Sequence, residues 1–508
     1  MYAICKTRGG IVMNIYIHYD QYSSLSELIR KLSAKGIKVT SGREKPENPV
    51  DYYIHWTLSP EAREVKALQR SYNSQSNRLG PENYQEIEAI LHQNHLRAFL
   101  GGQGTAWPIT IWPKEYLIYL WDSKVVATER KIVLTSQIKD IKNRGSQQNF
   151  QWLNNLTEWE KDRLIPTAMR ALHCLGLDFG KVQIGINRSN GPVILGIDPA
   201  PSLPKKLAHA YADIIVKSIK KGEEKKSITI GSDPEFMLSL QPGHRMVPAS
   251  RFFPRQGLIG CDNRRAFGAS DDLPLAEVRP EPADSVNEAM EKIRKALREA
   301  TRLCPYANIA WMAGSEPYPG YPTGGHIHFG GIEPNNLILR ALDQYLAFPL
   351  LFLENREKAK QRRQFYGTIG DFRVKAHGFE YRTPGSWLTT PELTRVALTL
   401  AYLTVKNYPM LKRWDFADLS FQEAFYSSEL EKLVPAFQST LAELYQVDRT
   451  EDTRVLINMI WLMYQEGMGN NEKIDLRKSW NLPIGVQRYR HVAKPRHSFS
   501  WLPGSAIR

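Results

Sequence analysis

Four short segments of this chain each place two polar side chains at positions i and i+2: Asp233-Pro-Glu235, Glu277-Val-Arg279, His326-Ile-His328 and Glu380-Tyr-Arg382. Alternate side chains of an extended strand share a face, so both members of each pair point one way. Apolar neighbours border them, among them Phe236, Val278, Ile327, Phe329 and Tyr381. The pattern predicts a sheet with one packed face and one face of carboxylates and imidazoles. Unpaired buried charges are costly, so such a face calls for cations. Carboxylate oxygens suit magnesium, and one imidazole is compatible with magnesium or manganese. Arginines at the edge suit phosphate oxygens. Singly, each pair has an ordinary explanation. Asp-Pro-Glu reads as a turn with solvated acids, and Glu-x-Arg as a surface ion pair. His326-x-His328 is the most informative, because Gly324, Gly325 and Gly330 bracket it. Strand glycines mark close approach by a ligand or by another backbone.

A basic cluster lies nearby. Arg356, Lys358, Lys360, Arg362, Arg363, Arg373 and Lys375 fall between Glu354 and Glu380, around Tyr366-Gly-Thr-Ile-Gly370. Glycines in that loop would let backbone N–H groups face an anion. A solvated helix over residues 355–363 explains the lysines equally well. Arg363 and Arg373 flank the loop and are the stronger phosphate candidates. No G-x-x-x-x-G-K-[ST] occurs, which argues against a P-loop.

The chain has 508 residues and a net charge of +14. A basic excess invites a nucleic-acid reading, but no zinc finger, RRM signature or clear helix-turn-helix supports one. No apolar run is long enough for a transmembrane helix, and residues 1–20 lack a signal-peptide layout. Cys5, Cys174, Cys261 and Cys304 form no C-x-x-C pair, which fits a reduced cytoplasmic setting. Residues 217–227 are polar and charge-dense, so a domain boundary is expected near 225. Before it, strands at 14–18 and 36–40 flank a helix with Leu25, Leu28, Ile29 and Leu32 at helical spacing, a β-α-β unit. Strands at 116–121 and 124–128 form a hairpin around Asp122-Ser123, a helix covers 158–175, and further strands lie at 182–186 and 193–197. After the boundary, Ser285 and Glu288 stand in capping-box positions before a helix with Val286, Met290, Ile293, Leu297 and Ala300 as its apolar stripe. From Pro391 to about Gly467 the pattern is helical. The tail from Tyr489 is basic and irregular.

Gly231-Ser-Asp-Pro-Glu-Phe-Met-Leu238, Gly260-Cys-Asp262, Glu277-Val-Arg-Pro280, Gly324-Gly-His-Ile-His-Phe-Gly330 and Gly378-Phe-Glu-Tyr-Arg-Thr-Pro384 resemble, in order and spacing, the phage-type COOH–NH2 ligases, or amidoligases. The resemblance implies a fold like that of glutamine synthetase and glutamate–cysteine ligase, and ATP-dependent joining of a carboxylate to an amine through an acyl phosphate. It implies metal ligands at Asp233, Glu235, Glu277, His328 and Glu380, with His326 beside His328 and both histidines pointing one way. Arg373, Arg382 and Glu380 become the catalytic candidates. Gly325, His326, Arg363, Tyr366, Gly367, Gly370 and Arg373 become the ATP-contacting ones. The cofactors implied are ATP and Mg2+, with Mn2+ as a substitute. The partners are a carboxylate and an amine, including those of a peptide or protein.

The first part resembles ATP-grasp ligases through Leu175-Gly-Leu-Asp-Phe-Gly-Lys-Val-Gln183, Val193-Ile-Leu-Gly-Ile-Asp-Pro-Ala-Pro201 and the Glu115–Lys124 region. Gly196, Asp198, Gln183 and Leu117 stand where that family has glutamate, asparagine, an acid and arginine, so an impaired site is expected. The fold class expected is therefore α+β. An α/β ATP-grasp-like domain (1–222) precedes an antiparallel-sheet ligase domain (228–400) and a helical extension with a basic tail (401–508). Two rival functions stand beside the ligase: a metal-dependent hydrolase using His326-x-His328, and a non-catalytic binding protein.

Overall fold

The computed structural model describes residues 13–20, 24–46, 48–59, 67–100, 112, 114–131, 150–187, 191–221, 227–265, 271–467 and 471–490. Cys5, the middle of the polar stretch 217–227, the centre of the turn after residue 187 and most of the basic tail lie outside these residues.

The first described element group is a parallel sheet of β1 (Asn14–Tyr19), β2 (Lys38–Gly42), β3 (Tyr52–Trp56) and β4 (Arg70–Tyr72), in the order β2-β1-β3-β4. Helix α1 (Ser26–Ala34) makes the β1-to-β2 crossover, and Leu25, Leu28 and Leu32 are buried beneath it. After α2 (Tyr84–Gln93) comes an antiparallel sheet of β5 (Lys114–Trp121), β6 (Lys124–Lys131), β7 (Phe150–Trp152), β8 (Phe179–Asn187) and β9 (Gly191–Asp198), ordered β7-β6-β5-β8-β9. Asp122 and Ser123 both have positive φ, as a tight hairpin turn requires. α3 (Glu158–Cys174) starts at a capping box of Thr157 and Glu160. It packs on β5, β8 and β9, while α4 (Lys205–Lys221) packs on β5 and β6.

The third sheet is antiparallel throughout. Its path is β12 (Ile259–Cys261), β13 (Leu275–Val278), β10 (Thr229–Leu240), β15 (Gly325–Gly330), β17 (Gly378–Tyr381), β16 (Phe372–Lys375). β11 (Arg245–Val247) and β14 (Ile309–Met312) also pair with the long β10. α5 (Val286–Leu303) covers the back, with Met290, Ile293, Leu297 and Ala300 buried. Ser285 caps it by accepting from Glu288 N, but Glu288 returns its carboxylate to Asp284 N, one residue further out than a capping box. α6 (Asn336–Leu342) runs through a π-helical turn, Asp343–Ala347, into α7 (Phe348–Leu351). Then follow α8 (Arg356–Arg363), α9 (Pro391–Asn407), α10 (Leu419–Ser427), α11 (Leu430–Val447), α12 (Glu451–Gln465) and α13 (Leu476–Ser479). In α12 only part of the apolar run packs inward. Leu456, Ile460 and Met463 are buried, whereas Val455 and Leu462 face outward.

The hydrophobic core does not stop at the sequence boundary near 225. One continuous cluster joins Tyr116, Ile118, Leu172 and Ile184 of the second sheet and its helix to Phe236, Ile327, Phe329 and Phe379 of the third.

Candidate functional site

Strand register brings the polar pairs together. Asp233 pairs with His326, Glu235 with Glu277, His328 with Glu380, and Glu380 with Arg373. Directly opposed residues share a face, so all of them line one side of the sheet. Phe236, Val278, Ile327, Phe329 and Tyr381 are fully buried on the other. The polar face opens into a cleft of about 300 Å3, floored by Asp233, Glu235, Glu277, His326 and Glu380 and edged by Arg264, Arg373, Arg382 and Tyr366.

Two groups of side chains can converge on a cation. One ligand atom each from Asp233, His326 and Glu380 lie within 4.8 Å of one another, as do atoms of Glu235, Glu277 and His326. His326 belongs to both. Its Nδ1 lies 3.3 Å from Asp233 Oδ1 and 3.6 Å from Glu380 Oε1. Its Nε2 meets the Tyr366 hydroxyl at 2.7 Å, and Arg382 donates to the same hydroxyl at 2.6 Å. Such outer partners fix the orientation of a metal-binding imidazole. Asp233 Oδ1, His326 Nδ1 and Glu380 Oε2 are buried atoms that make no well-formed hydrogen bond, although cationic groups lie within ion-pair reach. Buried polar atoms are normally satisfied. Three convergent donors of this kind, in an oxygen-rich set, fit a hard divalent cation.

The electrostatics agree. Burial pushes the Glu235 carboxyl up to about 7, with the charges of Asp262 and Asp233 adding to it. Burial and the charge of Asp233 push Glu277 up to about 8. Burial also works against ionised Asp233, but the close His326 and His328 rings more than reverse it and hold it below the usual carboxylate range. Glu380 is lowered too: burial works against its charge, but Lys375, His326 and Arg382 together outweigh it. His326 is raised, since Asp233 outweighs the desolvation of its ring. The protein alone therefore leaves two of four clustered carboxylates ionised and two favouring the proton near neutrality.

Other sequence candidates fall elsewhere. His328 lies in neither convergent group. It pairs with Asp233 Oδ1 at 3.0 Å, and its ring packs 5.6 Å from that of His377. Both histidines share the face, but they sit at different levels along β15, so the geometry favours His326 as the ligand. Arg363 is buried, paired with Glu354 and lying over the Phe425 ring, so it cannot reach the cleft. Arg362 is buried as well, donating to the carbonyls of Thr323, Thr383 and Pro384. α8 is thus not simply a solvated basic helix. The backbone after Tyr366 also faces inward: Ile369 N donates to the Tyr426 hydroxyl and Gly370 N to Asp343. Gly367 and Gly370, both at positive φ, serve this turn rather than an anion. Gly325 is glycine because the Gly385 carbonyl and the Trp387 ring crowd its Cα. Of the expected ATP-contacting set, His326, Tyr366 and Arg373 line the cleft, as does Arg382. Asp262 and Arg264 also line it. Asp262 stands in the Gly260-Cys-Asp262 segment that carries part of the family resemblance, and the pairing of Gly260 with Glu277 puts a side chain two residues on at the same face.

These features define a class, a mixed α/β protein whose antiparallel sheet carries a buried acidic cleft with an arginine rim. Residues 230–482 match the family model described as Phage phiEco32-like COOH.NH2 ligase-type 2, and this half of the chain belongs to that family. No curated protein matches the chain. Among solved structures, macrocyclase MdnC bound with precursor peptide MdnA from Microcystis aeruginosa MRC is 10% identical, over 41% of this chain and 100% of that one, at a TM-score of 0.28. ATP-grasp ligase PsnB complexed with minimal precursor is 11% identical, over 40% and 99%, at 0.30. A RimK domain protein ATP-grasp from Sphaerobacter thermophilus DSM 20745 is 8% identical, over 40% and 98%, at 0.27.

Proposed function

We infer that the chain is an ATP- and magnesium-dependent ligase that joins a carboxylate to an amine. The observation that carries this reading is the convergence of Asp233, Glu235, Glu277, His326 and Glu380 on one concave face, with Arg373 and Arg382 beside them. Mg2+ (or Mn2+) held by these side chains would offset the charge of nucleotide phosphates. Arg382 is fixed by Tyr366 and by Glu380, 3.1 Å from its Nε, and so presents a pre-set guanidinium to a transferring phosphoryl group. Arg373 has an exposed side chain at the rim and can follow the phosphates as they enter. The γ-phosphoryl group passes to a carboxylate oxygen of the substrate. The amine then attacks the acyl carbon and phosphate leaves, giving the amide. Either substrate can be carried on a peptide or protein.

A glutamine-synthetase-like architecture for 228–400, with 401–508 as its helical extension, belongs to the same proposal. So does an ATP-grasp-like domain over 1–222 that has lost its own chemistry. In support of that loss, Glu115 is engaged by Lys131 and Gln183, and Asp198 by Lys181, leaving these acids compensated within the protein. Cytoplasmic residence rests on Cys174, Cys261 and Cys304, which are free and buried. Among the described residues no helix is long and apolar enough to cross a membrane. The hydrolase alternative loses ground because His328 lies in neither of the two convergent groups of ligand atoms found among the described residues.

The test is ADP formation from ATP and Mg2+ in the presence of a metabolite and peptide pool, followed by product mapping. Turnover should require both a carboxylate and an amine. Glu380→Gln should abolish it, and unchanged turnover in that variant would overturn the site assignment.

A further inference from the structure

The turn after Tyr366 is held from behind by the N-terminal half of the chain. His173, near the end of α3, donates from Nε2 to Asp343 Oδ2 at 2.6 Å. Asp343 is fully buried in the π-helical turn. Its other oxygen accepts from Gly370 N at 2.8 Å and from the Tyr381 hydroxyl at 2.6 Å. Tyr381 stands between Glu380 and Arg382. One residue before Gly370, Ile369 N donates to the Tyr426 hydroxyl, which donates in turn to Asn94 Oδ1 at 2.6 Å. Asn94 also belongs to the N-terminal half. Gly370 has φ +65°, and a Cβ there would overlap the His173 ring. Imidazole and turn are therefore fitted to each other.

We propose that His173 is a positioning residue of the ligase site. It acts through Asp343, which ties the turn at 368–371 and the Tyr381 hydroxyl into one arrangement. That arrangement fixes Tyr366 and Arg382 against His326. Carboxylate oxygens accept hydrogen bonds, and three donors from three parts of the chain meet on these two. Removing a donor leaves a buried lone pair uncompensated and loosens the other two contacts. π-Helical turns recur where a helix must place such a group at a functional site. On this view the N-terminal half is a working part of the ligase apparatus. The proposal rests on the ligase reading of the cleft.

The experiment compares full-length His173→Phe and His173→Gln by calorimetric binding of the β,γ-imido analogue of ATP in excess Mg2+. Phe keeps a ring against Trp414, which lies 5.5 Å from His173, but has no donor. Gln restores an N–H toward Asp343 but fills the space less well. The expected result is a loss of about tenfold or more in analogue affinity for Phe, with Gln close to wild type. A role confined to packing gives the opposite order, and Phe binding as well as or better than Gln overturns the proposal. Should the Phe variant fail to fold, Tyr381→Phe removes another donor to Asp343 and should lower affinity likewise. Unchanged affinity there overturns the proposal too. A wild-type chain that does not bind the analogue overturns the ligase reading, and this proposal with it. That outcome is separate from a wild type that binds with Phe and Gln in the wrong order.

Discussion

Glu235 and Glu277 oppose each other on neighbouring strands, and burial lifts their carboxyls to about 7 and about 8. In the folded protein they hold protons that the unfolded chain, with carboxyls near 4.5, would have released. The sign follows from linkage: where the folded state binds more protons, stability falls as pH rises. The metal-free protein should lose stability between about pH 5 and about pH 8.5, most steeply near about pH 6, where the unfolded chain has released both protons and the folded one still holds them, and levelling off as the folded groups titrate. A cation must displace the same protons, so Mn2+ affinity should rise over that interval and binding should release protons into the buffer. Calorimetry in buffers of different ionisation heat measures both. A flat affinity profile would show that these two acids do not share the cation. At one pH, His326→Gln should weaken Mn2+ binding about tenfold or more, and His328→Gln far less, because only His326 lies in the convergent groups.

β15 shows how one element reconciles packing with chemistry. His326 and His328 face the cleft side, Ile327 and Phe329 fill the core, and Gly325 lets the Gly385 carbonyl and Trp387 come close. Gly325→Ala places a methyl group where backbone and a buried indole already sit, and neither can swing aside. It should cost about 1–3 kcal/mol, read from the urea midpoint, while leaving cation affinity nearly intact if the strand survives. The sequence showed which side chains share a strand face, because that follows from a period of two within each segment. It did not show register, which depends on partners far away in the chain. His326 and His328 are equivalent by spacing and become distinct only once Asp233 stands opposite the first of them. Arg363 and the turn glycines were misplaced for the same reason. Nothing within residues 354–380 reveals that Glu354, Ser428 and Phe425 will enclose Arg363, or that His173 will fill the space behind Gly370.

The whole chain is more integrated than its charge-dense stretch near 225 suggests. Among the described residues, the cations that line the cleft are Arg264, Arg373 and Arg382. Others are internal ties. Asp178 of the N-terminal half is 1% exposed and takes both Arg70 and Arg340, the latter from α6 of the ligase half. Arg70 also pairs with Asp122, and the Asp122 carboxylate accepts from Asn336 N across the same junction. Burial works against the charge on Asp178, but the two guanidiniums hold its carboxyl below the ordinary value. Asp178→Asn keeps the shape and removes the charge, leaving two largely buried arginines undercompensated. Breaking one partner of such a network costs about 3–5 kcal/mol. Because the core is continuous across the junction, the cost should fall on the whole molecule. Calorimetry of wild type should show one cooperative transition, and Asp178→Asn should move that single transition down. Two transitions, of which only one moves, would mean that the halves fold independently and that the shared core contributes little. Cation affinity gives a second readout, because the Asp178 network and the His173–Asp343 contact cross the same junction. If the junction supports the site, Asp178→Asn should weaken Mn2+ binding at temperatures well below its transition. If the N-terminal half is only an appended unit, affinity should match wild type at those temperatures.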